Sequence, residues 1–202
     1  MNSIERLAEI FSKFPGIGPR QARRFVYFLL SRSGSDLNEL VKYVQELKKE
    51  IIQCESCLRF FAKNGHATTL CSVCYDDTRD ASRLCVVPRD IDFESIEKSG
   101  SYKGYYFILG GVVPVLEKEP EKRIRIKDLR FKIQERIKNG LEEIIIAMNS
   151  NIDGENTVEY LKEQLNDFKL TISVLGRGLS TGAELEYADP ETLKNAFLHR
   201  TK

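Results

Sequence analysis

The chain has 202 residues, enough to bury a real core as one large domain or as two smaller ones around a staple. Its 31 Lys and Arg nearly cancel 30 Asp and Glu, so net charge singles out no polyanionic partner; the distribution does, because Lys13, Arg20, Arg23, Arg24 and Arg32 fall in one segment without an acid. No run reaches transmembrane length, and Glu5 and Glu9 argue against a signal peptide. Together with cysteines spaced for a metal, this reads as a cytoplasmic protein with no membrane partner.

In chain order, Ile4, Leu7, Ala8 and Phe11 recur at helical spacing behind a Ser3 cap. Phe14-Pro-Gly-Ile-Gly-Pro19 ends that helix. Pro19 opens the next one, where its missing N–H costs nothing, and Ala22, Phe25, Val26 and Leu29 mark its buried face. A turn over 31–36 leads to a third helix through Leu37, Leu40, Val41, Val44 and Leu47. Strands are expected at 84–87, 105–109, 143–148 and 170–175, and helices at 92–98, 127–138 (through Leu129, Ile133 and Ile137), 157–165 and around 193–198. Residues 112–126, with Pro114, Pro120 and dense charge, read as a surface excursion. The strand–helix alternation predicts an α/β fold, a parallel sheet flanked by helices with ligand loops at the C-terminal strand ends.

Between the helical arm and the α/β region lie Cys54-x-x-Cys57 and Cys71-x-x-Cys74. Each pair converges two thiolates on one metal, and two pairs complete a tetrahedral shell with no open position, the pattern of one structural zinc per chain. The spacer 58–70 is polar and strand-poor, and His66, outside either pair, is expected to be an exposed loop histidine. In this reading the four cysteines staple the arm to the α/β platform.

The turn at Gly16 and Gly18, followed by Arg20, Arg23 and Arg24 and preceded by Lys13, has the pattern of a helix-hairpin-helix. Glycines let backbone approach a phosphate, and the second helix presents free N–H groups and its positive dipole end. Such a site binds DNA through its backbone, independently of sequence and sensitively to salt. Tyr27 and Phe28 are expected to belong to core or flank and not to serve as stacking platforms.

Asp153 and Glu155 follow the strongest strand, where they either contribute to a magnesium site or favour a helix start. The loop Gly176-Arg-Gly178-Leu-Ser-Thr-Gly182 lacks the ending of a phosphate-binding P-loop, Cys85 reads as a core thiol, and two histidines assemble no nucleophilic triad.

Taken in order, these parts resemble the bacterial recombination mediator family RecR. The marks are Phe14-Pro-Gly-Ile-Gly-Pro-Arg20-x-Ala22-x-Arg24, the cysteine pairs, Cys85-Val-Val, Glu97-x-x-Gly100-x-Tyr102-x-Gly104-x-Tyr106, Leu109-Gly-Gly, Asp153-Gly-Glu155-x-Thr157 and Arg177-Gly-x-x-x-Gly182-x-Glu184-Leu-Glu-Tyr-Ala-Asp189. The resemblance implies a Toprim α/β part, a homo-oligomeric ring (dimer or tetramer) and work with RecO and RecF in loading recombinase onto gapped DNA, without catalysis. By matching positions, Arg20 and Arg24 would face DNA, Asp153 and Glu155 would belong to an acidic surface contacting the partner, and 177–189 would be a Walker-B-like segment. Pro88 stands where the family's first Toprim strand delivers a glutamate, and Asp153 replaces a glutamate, which argues against a complete magnesium site.

Four segments follow: a helix-hairpin-helix arm (1–53), the cysteine motif (54–78), a Toprim-like domain (79–176) and a C-terminal loop and helix (177–202). The leading expectation is a non-catalytic DNA clamp in recombinational repair. The alternatives are a magnesium-dependent Toprim nuclease or primase-like enzyme and a zinc-stapled protein-interaction module.

Overall fold

Three helices build the first of two units, Met1–Ile52, in a computed structural model that describes every residue except 64–67, 177, 180, 181, 183, 199, 201 and 202. Helix α1 (Ser3–Ser12) is capped by Asn2 instead of the expected Ser3. The Asn2 side chain accepts from the Glu5 N–H at 2.9 Å while the Glu5 carboxylate accepts from the Asn2 N–H at 3.0 Å, a reciprocal box that satisfies two otherwise orphaned donors. Helix α2 (Pro19–Leu30) starts at Pro19 as expected and buries Ala22 and Val26. Edge-to-face packing of Phe11 on Phe14 (5.7 Å) and on Phe25 (5.9 Å) joins the two helices.

Helix α3 (Gly34–Glu50) begins earlier than its apolar stripe because Ser33 accepts from the Asp36 N–H at 3.2 Å. Leu40, Val41, Val44 and Leu47 on that helix are exposed.

The second unit, Gln53–Lys202, is organised by a four-stranded parallel sheet. Strand β1 (Ile51–Gln53) straddles the boundary between the units in sequence; β2 (Phe60–Ala62) and α4 (Ser72–Tyr75) follow, and then β3 (Asp80–Val87), α5 (Asp90–Ser99), β4 (Gly104–Ile108), α6 (Pro120–Arg123) and α7 (Ile126–Ile137). Then follow β5 (Glu143–Ile146), α8 (Ile152–Leu165), β6 (Thr171–Val174), a 3-10 turn (Leu185–Tyr187) and α9 (Pro190–Leu198). Strand order is β4-β3-β5-β6, with Leu84 beside Tyr105 and Ile144 in register.

Because strand side chains alternate, each central strand feeds two cores. Leu84, Val86, Phe107, Ile144 and Ile146 point to a face covered by Leu129 and Ile133 of α7 and by Val158, Leu161 and Leu165 of α8. Cys85, Val87, Tyr106, Ile108 and Ala147 point to the other, covered by Phe93 of α5 and by Cys54, Cys57, Cys71 and Val73 of the cysteine motif. The motif therefore occupies the place of a second covering helix. Cys85 is the buried core thiol anticipated, and burial pushes its pKa up to about 12.

Residues 112–126 run largely on the surface as expected, but the excursion is anchored at both ends, since Val113, Ile124 and Ile126 are buried and the Arg125 N–H donates to the Leu109 carbonyl at 2.8 Å. Side chains of α8 supply the rest: Thr157 Oγ1 accepts from the Val113 N–H at 2.8 Å, and Asn156 donates to the Val113 carbonyl at 3.0 Å. On α7, Ile126 takes the core place expected of Ile137, which is exposed.

The run from Glu97 to Tyr106 has a structural explanation. Arg79, only 7% exposed, donates to both Glu97 oxygens at 2.8 and 2.9 Å and lies over the Tyr106 ring. Gly100 closes α5 at φ 67°, and any side chain at position 104 would collide with the Tyr102 hydroxyl and the Arg83 carbonyl.

Candidate functional site

Local backbone geometry brings the four cysteines together. Leu58 adopts a left-handed φ of 62°, rare for a residue with a Cβ, so that its N–H reaches back to the Cys54 carbonyl at 3.0 Å. Gln53 and Arg125 side chains both donate to the Leu58 carbonyl, at 2.9 and 3.0 Å, and hold that turn. The spacer is not strand-poor as expected, because β2 lies within it and pairs with β1. Asp90 Oδ1 accepts from the Phe60 N–H at 2.8 Å, and Ile108 on the sheet's edge strand donates to the Cys57 carbonyl at 2.8 Å.

The sulfur atoms of Cys54, Cys57, Cys71 and Cys74 all lie within 4.8 Å of one another. Cys57 and Cys71 are 3.6 Å apart, too far for a disulfide and close to the ~3.8 Å edge of a tetrahedron with metal–sulfur bonds of about 2.3 Å. The Cys71 N–H approaches Cys54 Sγ at 3.4 Å, as second-layer donors to thiolates do. Cys54, Cys57 and Cys71 are buried and Cys74 is half-buried. The donor set thus fits a tetrahedral metal held in a closed, structural shell. His66 lies outside the described residues.

At the hairpin, Gly16 has φ 75°, which favours glycine, and Gly18 is the N-cap of α2 with no side-chain cap. The first bond of α2 runs from the Ala22 N–H to the Gly18 carbonyl at 2.9 Å, so the N–H groups of Arg20 and Gln21 precede it at the positive end of the dipole. The cations of the segment are not equivalent. Lys13 lies 3.6 Å from Glu9, and the Arg32 guanidinium sits 4.1 Å above the Phe28 ring. Among the described residues, Arg20, Arg23 and Arg24 have no acidic partner within 4.0 Å. All three are exposed, Arg20 and Arg24 on the helix side away from Ala22 and Val26 and Arg23 on its flank. Tyr27 and Phe28 are exposed too, so neither is core.

Asp153 and Glu155 occupy the first turn of α8, whose N-cap Asn151 accepts from the Gly154 N–H at 2.8 Å. A Cβ at position 154 would collide with the Asn149 carbonyl, so the sharp entry from β5 requires glycine. Two carboxylates are close in sequence, but Asp90 is engaged by β2 and buried Pro88 offers no donor. Among the described residues, the four cysteines are the one group of three or more metal-ligating side chains drawn within 4.8 Å.

Near the C-terminal segment, Ser150, Glu155, Gly178, Asp189, Glu191 and Asn195 line a cavity of about 540 Å³. Asp189 caps α9, accepting from the Thr192 N–H at 2.9 Å and its hydroxyl at 2.6 Å, which lowers the Asp189 pKa. Arg177, expected in the same loop, lies outside the described residues.

The arrangement defines a class: a helix-hairpin-helix unit followed by a parallel α/β unit with a built-in four-cysteine motif. Family models agree, one described as "RecR, helix-hairpin-helix" matching residues 4–48, one as "Toprim domain" matching 82–176, and one as "RecR, C-terminal" matching 178–201. The chain is 36% identical over 201 residues to the recombination protein RecR of Staphylococcus saprophyticus, covering 98% of this chain and 96% of that one. It is 36% identical over 200 residues to that of Bifidobacterium adolescentis (98% and 95% covered) and 32% over 199 residues to that of Chlorobium chlorochromatii (98% and 96%). The chain belongs to the RecR family.

Proposed function

We propose that this chain is a DNA-binding clamp subunit that acts in recombinational DNA repair without chemistry of its own. The observation that carries the reading is the hairpin: two glycines, a free helix N-terminus and three arginines with no acidic partner, on one short segment. Lys13, Gly16, Gly18, Arg20, Arg23 and Arg24 form the backbone-binding site, with Lys13 weakened by Glu9.

Cys54, Cys57, Cys71 and Cys74 hold one zinc ion, whose role is folding; an all-thiolate shell leaves no position for substrate. In this reading 1–53 is the DNA-binding arm, 54–78 the metal staple, 79–176 the Toprim platform and 177–202 its Walker-B-like completion. Asp153 and Glu155 present an acidic surface to a protein partner, and family membership supports RecO and RecF as the proteins with which recombinase is loaded at gapped DNA. The subunits close into a homo-oligomeric ring, and the protein works in the cytoplasm. Among the described residues no helix is long and apolar enough to cross a membrane. A magnesium-dependent enzyme is disfavoured by the engagement of Asp90 with Phe60 and by Pro88.

The test is the double change Arg20→Ala, Arg24→Ala. Removing two phosphate contacts lowers the slope of log affinity against log salt by roughly 2 and weakens binding uniformly across sequences. Unchanged DNA binding and salt slope in that variant would falsify the assignment to this hairpin.

A further inference from the structure

The proposed hairpin site continues along α2 into an aromatic side chain that the fold leaves uncovered. Tyr27 is 59% exposed and follows Arg20, Arg23 and Arg24 at positions i+7, i+4 and i+3, which in a helix share one face. Tyr27 and Phe28 differ. The Phe28 ring carries the Arg32 guanidinium at 4.1 Å, whereas Tyr27 has neither ring partner nor hydrogen bond among the described residues. Two turns of helix, about 10 Å, separate it from the phosphate-binding N-terminus at Arg20.

We propose that Tyr27 is a stacking platform for an unpaired base, so that the hairpin engages a single-stranded segment whose backbone is held by Arg20, Arg23 and Arg24. The proposal rests on the hairpin being a DNA site. In a duplex the base faces are stacked on one another and closed to a side chain; in a single strand they are open, and base–aromatic stacking tolerates any sequence. This matches the rest of the site, which offers backbone N–H groups and guanidinium groups but no array to read base edges. Charge selects the occupant. A second copy laying the same face on this one would oppose arginine to arginine, while a nucleic acid supplies the anions that this face lacks. The surface is thus specific for unpaired nucleic acid, and the ring confers the preference.

The experiment measures fluorescence anisotropy of the full chain with a labelled thymidine homo-oligonucleotide and with a duplex of the same length, for Tyr27→Ala, Tyr27→Phe and the Arg20→Ala, Arg24→Ala pair. Tyr27→Ala is expected to weaken single-strand binding about tenfold, to change duplex binding by less than about twofold, and to leave the salt slope unaltered. Tyr27→Phe keeps the ring and should bind as the parent does. Equal weakening on both ligands, or no weakening on either, overturns the stacking role. So does a change in subunit number on light scattering with Tyr27→Ala, which would give the ring to a protein interface. The arginine pair separates the two claims: if it weakens both ligands and Tyr27→Ala weakens neither, the hairpin site stands and the platform falls. If the arginine pair has no effect, the hairpin reading itself fails.

Discussion

Replacing Cys57 by Ala tests whether the cysteine motif is a cover for the sheet or a separate appendage. Cys57 is 1% exposed, and its group supplies Cys54, Cys57, Cys71 and Val73 to the core beneath Val87, Tyr106, Ile108 and Phe93. A structural zinc in small domains is worth about 10–16 kcal/mol of apparent binding, and three ligands retain only part of it. If the motif loosens, those four large side chains lose one of their two walls. At about 1.5–3 kcal/mol for burying such a side chain fully, losing half of that burial costs roughly 3–6 kcal/mol. Either figure rivals the whole stability of an ordinary domain, about 5–15 kcal/mol, so loosening of the motif is enough to unfold the unit.

The expected result is an α/β unit that is molten or unfolded at 37 °C. Near-ultraviolet circular dichroism of Tyr102 and Tyr106, which pack on the cysteine-motif face, should collapse and a hydrophobic dye should bind. The face under α7 and α8 contains no cysteine ligand, so far-ultraviolet signal should persist in part. Thermal melts of the parent with and without a thiol-compatible chelator form the parallel arm. Retention of the parent's melting temperature and tyrosine spectrum by Cys57→Ala would refute the view that the motif is part of the core.

Glu97→Gln should destabilise the α/β unit by about 2 kcal/mol in urea titration at neutral pH, since it leaves buried Arg79 without a full counter-charge; solvent screening at the one-third-exposed Glu97 keeps the cost below the ~3–5 kcal/mol of a fully buried pair. The same pair sets an acid dependence. The Arg79 guanidinium holds the Glu97 pKa below its ordinary value of 4.5, so its stabilisation is complete above that value and is lost as pH falls through the lower folded one; Glu97→Gln should flatten that limb, and an unchanged acid melt would count against the pair. Thr157→Val removes the acceptor of the Val113 N–H at nearly constant shape, leaving a buried donor unpaired. A loss of about 1–3 kcal/mol and faster protease cleavage within 112–125 are expected, and resistance equal to the parent's would show that the segment is held by packing alone.

Much of this architecture is written in local pattern. The two Cys-x-x-Cys pairs specify their own convergence, because a knuckle is a few residues of backbone whose turn is set within itself. The isoleucines of β5 announce a buried strand, and Pro19 after Gly16 and Gly18 announces a helix start. Each signal is short-range, and each element appeared where its signal lay.

Tertiary structure decided what those elements do. Five cations in a row of sequence look alike, yet in the fold Lys13 lies beside Glu9 and Arg32 over the Phe28 ring, while Arg20, Arg23 and Arg24 have no acidic partner among the described residues. The Asp90 carboxylate accepts from the Phe60 N–H, thirty residues away in the chain, a pairing that no local pattern announces. Tyr27 and Phe28 have the composition of core but lie opposite Ala22 and Val26, and only packing tells the two sides of a helix apart. That the cysteine motif covers the sheet's second face depends on contacts between segments distant in sequence, whose free energy no local window contains.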